Sequence, residues 1–239
     1  MKYTKEEARK RVLNCAKQYC QKLLNKKFII IYRERFDNTI HYIEVIFYER
    51  NYQHLTGLEL INQKGNIIHN QSLNFYRKCI QNKLGLEEFK FKPDGTTHLK
   101  LTALPLLMDV TKITKITGDY NNTRPYLLLD KVIGGVNFCL GLSKEGNVYV
   151  PSSALLEDIK KLTDTPSQVL AILEKSTESS IYSSIKHVAK GLNLHSITFP
   201  EEIGKMITLD NYVYKNSRTT SISVCKLFPP ILFLKSMVR

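Results

Sequence analysis

The chain has 239 residues, of which 43% are hydrophobic and 24% charged, and this composition is typical of a globular protein that buries a sizeable core. Its five cysteines show no Cys-x-x-Cys spacing, which argues against a disulfide framework and a zinc site and favours a reducing compartment. The formal net charge is +13, the opening MKYTKEEARKRV is too charged for a signal peptide, and no apolar stretch is long enough to span a bilayer, so we expect a cytoplasmic protein without a membrane partner.

The positive charge is concentrated at the two ends of the sequence. Residues 1–35 hold 11 Lys and Arg against 3 Glu, residues 186–239 hold 8 against 3 Asp and Glu, and residues 36–185 hold 16 of each sign. Clustered positive charge gains affinity for RNA or DNA by releasing phosphate counterions. The pattern therefore favours a nucleic acid partner, with a merely solvated surface as the alternative.

The first elements are a helix and a hairpin. Thr4 and Glu7 have the spacing of a capping box, and apolar residues then recur at helical spacing, which predicts an amphipathic helix over 4–26. The β-rich segments 28–34 and 40–47 are separated by the turn sequence FDNT and predict a hairpin.

Two further helices are predicted in the middle of the chain. One covers 72–84, and a longer, largely buried one covers 99–116 and ends before Gly118. Pro105 removes one backbone donor from the longer helix, so we expect a kink near Leu101 unless the helix begins there.

The second half alternates β-rich runs with turn residues, and helices followed by such strands indicate an α+β fold. We expect N-terminal helices packed on a small antiparallel sheet in a domain over 1–190. The remainder, 191–239, is a C-terminal extension, either separate and strand-rich or packed on the same domain. The predicted strands are 126–130, 136–142, 147–151, 167–175 and 181–189, with a short helix over 153–162. The strands 136–142 and 147–151 are joined across SKEGN, and 167–175 and 181–189, on either side of STESS, predict a second hairpin.

The stretch NYQHLTGLEL contains the first candidate for chemistry. His54 has the pKa range for acid–base catalysis near neutral pH, and Thr56 with the backbone around Gly57 can bind an oxyanion. A hydrogen-bonded structural histidine is the alternative. His69 and His98 have no carboxylate partner in the sequence pattern, and we expect both to be solvated.

A group of polar residues follows the turn at Asp94. Thr96, Thr97 and Lys100 lie at a predicted helix N-terminus, where backbone donors and the helix dipole favour a phosphate or carboxylate; a plain helix cap is the alternative. There is no Walker loop, GxGxxG, GxSxG or HExxH, so nucleotide, serine-hydrolase and metalloprotease functions have no motif to support them.

Three further residues flank predicted strands. Arg124 and Lys131 lie on either side of YLLLD, and Tyr149 lies in the following hairpin. Each is a candidate phosphate contact or proton donor, although single basic residues at strand ends usually face solvent.

Five motifs occur in order along the chain: HLTGL, DGTTHLKLTALPLLM, ITGDYN, LLLDKVIGGVNFCLGL and YVPSSALLEDI. Together they resemble one known family, the fourth of the phage-associated nuclease families named after barnase, EndoU, colicin and RelE. The similarity runs from about residue 8 to 190. The resemblance implies helices leading into a four-stranded antiparallel sheet, and a ribonuclease of phage or mobile-element origin, in some cases a toxin, that uses neither metal nor cofactor. RNA is the implied partner, together with an inhibitor or phage protein.

The resemblance also implies roles for individual residues. His54 is the general base or acid, and Thr56 orients it or the substrate. Lys131 and Lys100 balance the charge on a pentavalent phosphorane, and Tyr149 contacts a base or donates a proton. The RNA 2′-hydroxyl would be the nucleophile, but the sequence does not indicate a second histidine or a glutamate that pairs with His54.

Two other functions stay open at this point. One is a non-catalytic module of a mobile element that binds nucleic acid or protein, in which HLTG is only a turn. The other is an enzyme acting on a small phosphorylated ligand held at Thr96 and Lys100.

Overall fold

The computed structural model describes residues 2–122 and 126–213, and these residues form a mixed α+β fold, as predicted. The helices are α1 (Lys5–Lys22), α2 (Asn51–Thr56), α3 (Ser72–Ile80), α4 (Thr96–Leu107), α5 (Val110–Ile113) and α6 (Glu201–Met206). The strands are β1 (Lys26–Arg33), β2 (Ile40–Ile46), β3 (Leu58–Leu60), β4 (Phe89–Phe91), β5 (Ile116–Asp119), β6 (Lys131–Gly134), β7 (Cys139–Glu145), β8 (Val148–Leu155), β9 (Ser167–Ser176) and β10 (Ser184–Val188).

The main sheet is larger than expected. It has eight strands in the order β1-β2-β8-β7-β6-β5-β9-β10, and β1 also pairs with β9, so seven strands close a ring that β10 extends. All pairs are antiparallel except β2 with β8, which is parallel. The expected small antiparallel sheet is thus replaced by an eight-stranded mixed one, and β3 and β4 form a separate two-stranded sheet.

The predicted long helix over 99–116 is divided into three elements. Helix α4 ends at Leu107, α5 is a single turn, and β5 begins at Ile116. The apolar residues continue at helical spacing through this region, but β5 pairs with β6 and β9, and these ladders override the local pattern. The Pro105 nitrogen carries no hydrogen for the Leu101 carbonyl, which instead accepts from Arg11 Nη1 at 3.4 Å.

Two other local predictions are wrong. Residues 126–130 form no strand; the strand in this region is β6, four residues long. The helix expected over 153–162 is replaced by the end of β8 and a single 3₁₀ turn over Ile159–Lys161. Ser153 faces Gly141 and Leu155 faces Cys139 in the β7–β8 ladder, so strand pairing wins over helix propensity here as well.

Helix α1 packs over a cluster of buried aromatic rings that fixes the position of α2. The ring of Tyr52, from α2, lies 5.1 Å from that of Tyr19 and 5.5 Å from that of Tyr76, between ring centroids. The Tyr52 hydroxyl donates to the Val12 carbonyl of α1 at 2.6 Å. Helix α2 is only six residues long, so its placement depends on this packing and not on its own helical stability.

The described part of the C-terminal segment packs against the main sheet. Leu194 and Ile203 are buried with Ile29 and Ile31 of β1 and with Tyr182. Up to residue 213 this segment contains a 3₁₀ turn and α6 but no strand of its own. No helix within the described ranges is both long and apolar enough to cross a bilayer.

Replacing Tyr52 by Phe removes the hydroxyl and leaves the ring in place. We expect the free energy of unfolding to fall by about 1 kcal/mol, because a buried hydrogen bond between α2 and α1 is lost. Urea denaturation measures the change. Tyr126→Phe is the control, since that side chain is 78% exposed and its loss should be within about 0.5 kcal/mol of zero; equal losses in both variants would contradict the role of this bond.

Candidate functional site

Helix α2 presents His54 to solvent. Tyr52 and Leu55 of this helix are fully buried, and helical geometry therefore turns His54, between them, to the outer face. The helix ends at Gly57, whose φ of 72° is in the left-handed region, and the chain then enters β3. The HLTG segment is thus the C-terminal end of a helix, and the imidazole of His54 is exposed there.

Two clefts, each of about 240 Å³, meet at His54. The first, which we call the β3 cleft, lies between α2, β3 and the segment before α3. The second, the β8 cleft, lies between α2 and the β7–β8 hairpin. The β3 cleft is lined by Gln53, His54, Gly57, Leu58, Glu59, Ile67, Ile68, His69, Asn70, Ser72 and Lys92. The β8 cleft is lined by Arg50, Asn51, His54, Ser72, Ser143, Glu145, Val150, Pro151 and Ser152.

The surroundings of His54 favour its neutral form. Partial burial lowers the pKa of the imidazole below its usual 6.5, and the positive charges of Lys100 and Lys92 lower it further. At pH 7 the ring is therefore unprotonated and can accept a proton. This is the state that a general base requires.

The end of α2 is held against the start of α4 by two side chains. Thr97 is fully buried and its hydroxyl donates to the Gly57 carbonyl at 2.7 Å, while Lys100 Nζ donates to the His54 carbonyl at 2.8 Å. A Cβ at Gly57 would lie 3.1 Å from both the Lys100 Cδ and the Thr97 Cα. We call this contact the α2–α4 clamp, and it defines the backbone at the site.

Lys100 is itself affected by the clamp. Burial lowers the pKa of its ammonium group to about 8, with a further decrease from the charge of Lys92 and an opposing effect from Asp94. At pH 7 the group is still mostly protonated. It therefore donates to the His54 carbonyl, and its charge lowers the pKa of the His54 imidazole more than the charge of Lys92 does.

The sequence grouped Thr96, Thr97 and Lys100 as an anion site, but the structure gives them partners within the chain. The Thr96 backbone N–H and hydroxyl both donate to Asp94 Oδ1, at 2.9 and 2.7 Å. These bonds lower the pKa of Asp94, and its carboxylate already occupies the N-terminal end of α4. The arrangement is a local turn from Asp94 to Thr96, and the N-cap position of α4 is Gly95, which has no side chain to cap the helix.

Thr56 lies inside the protein. Its hydroxyl donates to the Gln53 carbonyl at 2.7 Å and accepts from the Leu58 N–H at 3.1 Å, and the residue is fully buried. Both bonds close the turn at the end of α2. Thr56 therefore stabilises this turn, and its buried side chain is not accessible to a substrate.

Lys131 and Tyr149 form a separate cluster on the main sheet, and neither lines the β3 or the β8 cleft. Lys131 pairs with Asp119 and lies 5.8 Å from the ring centroid of Tyr32. Burial raises the pKa of Tyr149, and the charge of Lys131 partly offsets this increase. Arg124 lies outside the described residues.

The sequence did not point to Glu59 or Lys92 as site residues, and it predicted a solvated His69. All three line the β3 cleft with His54. The available signal was NQKGN at 62–66, a turn sequence between two apolar runs that indicates a short hairpin. His98 is also not simply solvated, because its Nδ1 accepts from the Tyr3 N–H at 3.0 Å.

Within the described ranges, no group of three or more His, Cys, Asp or Glu is arranged to hold a metal ion. In a comparison with known protein families, the model of the family described as phage-Barnase-EndoU-ColicinE5/D-RelE like nuclease 4 matches residues 11–191, most of the chain. No curated protein and no solved structure matches.

The α2–α4 clamp can be tested by comparing two glycines that both have positive φ. Gly57→Ala and Gly95→Ala each place a Cβ in the left-handed region, at a cost of about 1 kcal/mol. Only the Gly57 variant also approaches Thr97 and Lys100, whereas nothing lies within 4 Å at Gly95. We therefore expect Gly57→Ala to lose about 1–3 kcal/mol more of unfolding free energy in urea denaturation; equal losses would show that the contact is not tight.

Proposed function

The chain belongs to this phage-associated nuclease family, and we propose that it cleaves RNA without a metal ion, with His54 as general base. The family implies a nucleic acid substrate. The observation that supports His54 is its position at the meeting point of two clefts, exposed and with a lowered pKa. A solvent-open, unprotonated imidazole between two polar clefts has the placement that proton abstraction needs.

In the proposed reaction His54 removes the proton of the RNA 2′-hydroxyl. The 2′-oxygen forms a bond to phosphorus, the bond from phosphorus to the 5′-oxygen breaks, and a second group gives a proton to that leaving oxygen. The products are a 2′,3′-cyclic phosphate and a 5′-hydroxyl. Because the nucleophile is part of the substrate, the step needs acid–base groups and positive charge near the phosphate.

The two clefts give the RNA a path across His54. Ser72 lines both, and Ser143 and Ser152 add hydroxyls to the β8 cleft. Lys92 brings a positive charge to the β3 cleft and Arg50 to the β8 cleft, where its guanidinium also pairs with Glu145. Nucleotides on either side of the cleaved bond would occupy one cleft each.

The structure gives little support to the alternative function. In that alternative the protein is a module that only binds nucleic acid, through its basic N-terminal segment. Lys22, Lys26 and Lys27 form ion pairs with Asp109, Glu174 and Glu44 at 3.2, 3.5 and 3.0 Å. Arg9 Nε donates to the Leu84 carbonyl. These cations hold α1 and β1 in place, so less of the N-terminal charge is available to phosphates than the sequence suggests.

The central test is cleavage of total RNA in EDTA by the wild type and by His54→Ala. Loss of a general base should reduce the rate about 10²- to 10⁴-fold. His41→Ala is the matched control, since His41 is an exposed histidine on β2 that lines neither cleft. Salt-sensitive RNA binding with no cleavage by the wild type, or equal cleavage by His54→Ala, would contradict the proposal.

The pH dependence tests the state of His54. A base works only when unprotonated, so activity should fall as pH decreases through the pKa of His54, and the midpoint of this acid limb should lie below pH 6.5. Lys92→Met removes one of the charges that lower this pKa, and the acid limb should therefore move to higher pH. Lys83→Met, which removes an exposed charge outside both clefts, is the control; the same limb in both variants would contradict the assignment.

A further inference from the structure

The proposed reaction needs a cation at the scissile phosphate, because the phosphorane carries more negative charge than the phosphodiester from which it forms. The family resemblance implies Lys100 and Lys131 for this role. In the structure the Lys100 ammonium is partly buried and bonded to the His54 carbonyl, and Lys131 is paired with Asp119 on the main sheet, outside both clefts. Neither side chain is therefore placed to contact a phosphate beside the His54 imidazole.

Arg50 lies on the same face of the helix as His54. It is the N-cap residue of α2, and its own backbone is helical, with a φ of −64° and a ψ of −25°. Residues four apart in a helix lie one above the other, with their Cβ atoms about 5–6 Å apart. Both side chains line the β8 cleft together with Ser72, Ser143 and Ser152. A phosphate in this cleft therefore has both the guanidinium and the imidazole beside it.

The Arg50 guanidinium is held on one face and at one edge. Its Cζ lies 4.3 Å from the centroid of the Tyr48 ring, and its Nη2 donates to Glu145 Oε2 at 2.5 Å. Within the described ranges the guanidinium makes no other hydrogen bond or ion pair, so Nε and Nη1 keep their N–H groups for a ligand. A planar guanidinium with free N–H groups matches the oxygens of a phosphate.

The ion pair with Glu145 is compatible with phosphate binding. The side chains of Arg50 and Glu145 are 54% and 46% exposed, and ion pairs at such exposure contribute little free energy because water screens them. The guanidinium can bind a phosphate through Nε and Nη1 while Nη2 keeps its bond to the carboxylate. Its packing on the Tyr48 ring restricts the side chain before the substrate binds, which reduces the entropy lost on binding.

We propose that Arg50 binds the scissile phosphate and stabilises the phosphorane of the RNA cleavage, and that Tyr48 is the positioning residue for its guanidinium. This inference rests on the proposed function and names the cation that the reaction needs. Negative charge on the non-bridging oxygens grows as the 2′-oxygen bonds to phosphorus. The N–H groups of Arg50 therefore bind the phosphorane more strongly than the phosphodiester, and this difference increases kcat.

Cleavage of RNA oligonucleotides of mixed sequence in EDTA tests the role of Arg50. The proteins are the wild type, Arg50→Ala, Arg50→Lys and Arg77→Ala. Arg77 is the matched control, because its side chain is 62% exposed, pairs with Glu49 at 3.9 Å and lines neither cleft. We expect Arg50→Ala to reduce kcat about 10²- to 10³-fold and Arg77→Ala to leave it within about threefold of the wild type.

Two further measurements separate a direct contact from a structural effect. Guanidinium chloride, at concentrations below those that unfold the protein, should raise the kcat of Arg50→Ala about tenfold, because it supplies the ion that the side chain provided. Sodium chloride at the same concentration is the ionic control and should give no such increase. Arg50→Lys keeps the charge without the planar fork, so its kcat should lie between those of Arg50→Ala and the wild type.

Any of four results would overturn the inference and leave the proposed function in place. They are an Arg50→Ala variant as active as the wild type, a change in KM alone, a loss of kcat that Arg77→Ala shares, and a loss that neither guanidinium nor Arg50→Lys reduces. Absence of cleavage by the wild type would instead overturn the proposed function.

A double-mutant cycle tests the role of Tyr48. Tyr48→Phe keeps a ring against the guanidinium and should retain the wild-type kcat, whereas Tyr48→Leu removes the ring and should lower kcat about two- to fivefold. In the Arg50→Ala background Tyr48→Leu should have no further effect, because the group that the ring holds is gone. No loss from Tyr48→Leu, or an equal loss in both backgrounds, would overturn the positioning role.

Discussion

The site depends on the contact between the last turn of α2 and the first turn of α4. A six-residue helix has little stability of its own, and the orientation of His54 would vary if its C-terminal end were free. The buried Thr97 hydroxyl and the Lys100 ammonium each bond to a carbonyl at that end, and Gly57 lets the two backbones approach. Only glycine combines the positive φ with the missing Cβ that this approach requires.

The same clamp links backbone geometry to proton affinity. The Lys100 ammonium bonds to the His54 carbonyl and at the same time lowers the pKa of the His54 imidazole. A group that fixes the backbone of the proposed general base thus also adds to the lowering of the pKa of its side chain, after the larger effect of burial. Lys100 stays protonated below about pH 8, so both effects persist across the pH range in which an unprotonated imidazole is useful.

Much of the fold, but less of the site, is present in local sequence patterns. The Thr4–Glu7 capping box forms both of its hydrogen bonds, and the β1–β2 and β9–β10 hairpins pair as expected, because the turn signals and apolar spacing are local. β5 and β6 are short strands defined by pairing with distant partners, which propensity does not report. His54 is recognisable as a polar residue on an otherwise buried helix. Its neighbours are not, because their convergence depends on the register of a hairpin and on the packing of β8 against α2.

The proposed chemistry lies mostly outside the main sheet. The β3 cleft is built from α2, the small β3–β4 sheet and the segment before α3, and the main sheet contributes only the β7–β8 hairpin that lines the β8 cleft. The ring of strands therefore supplies the structural base, while the proposed general base His54 is carried by a short helix and one of its two clefts is lined by a hairpin loop. Such loops accept changes in length and sequence at little cost to the core, so the specificity of this site can vary while the eight-stranded sheet stays the same.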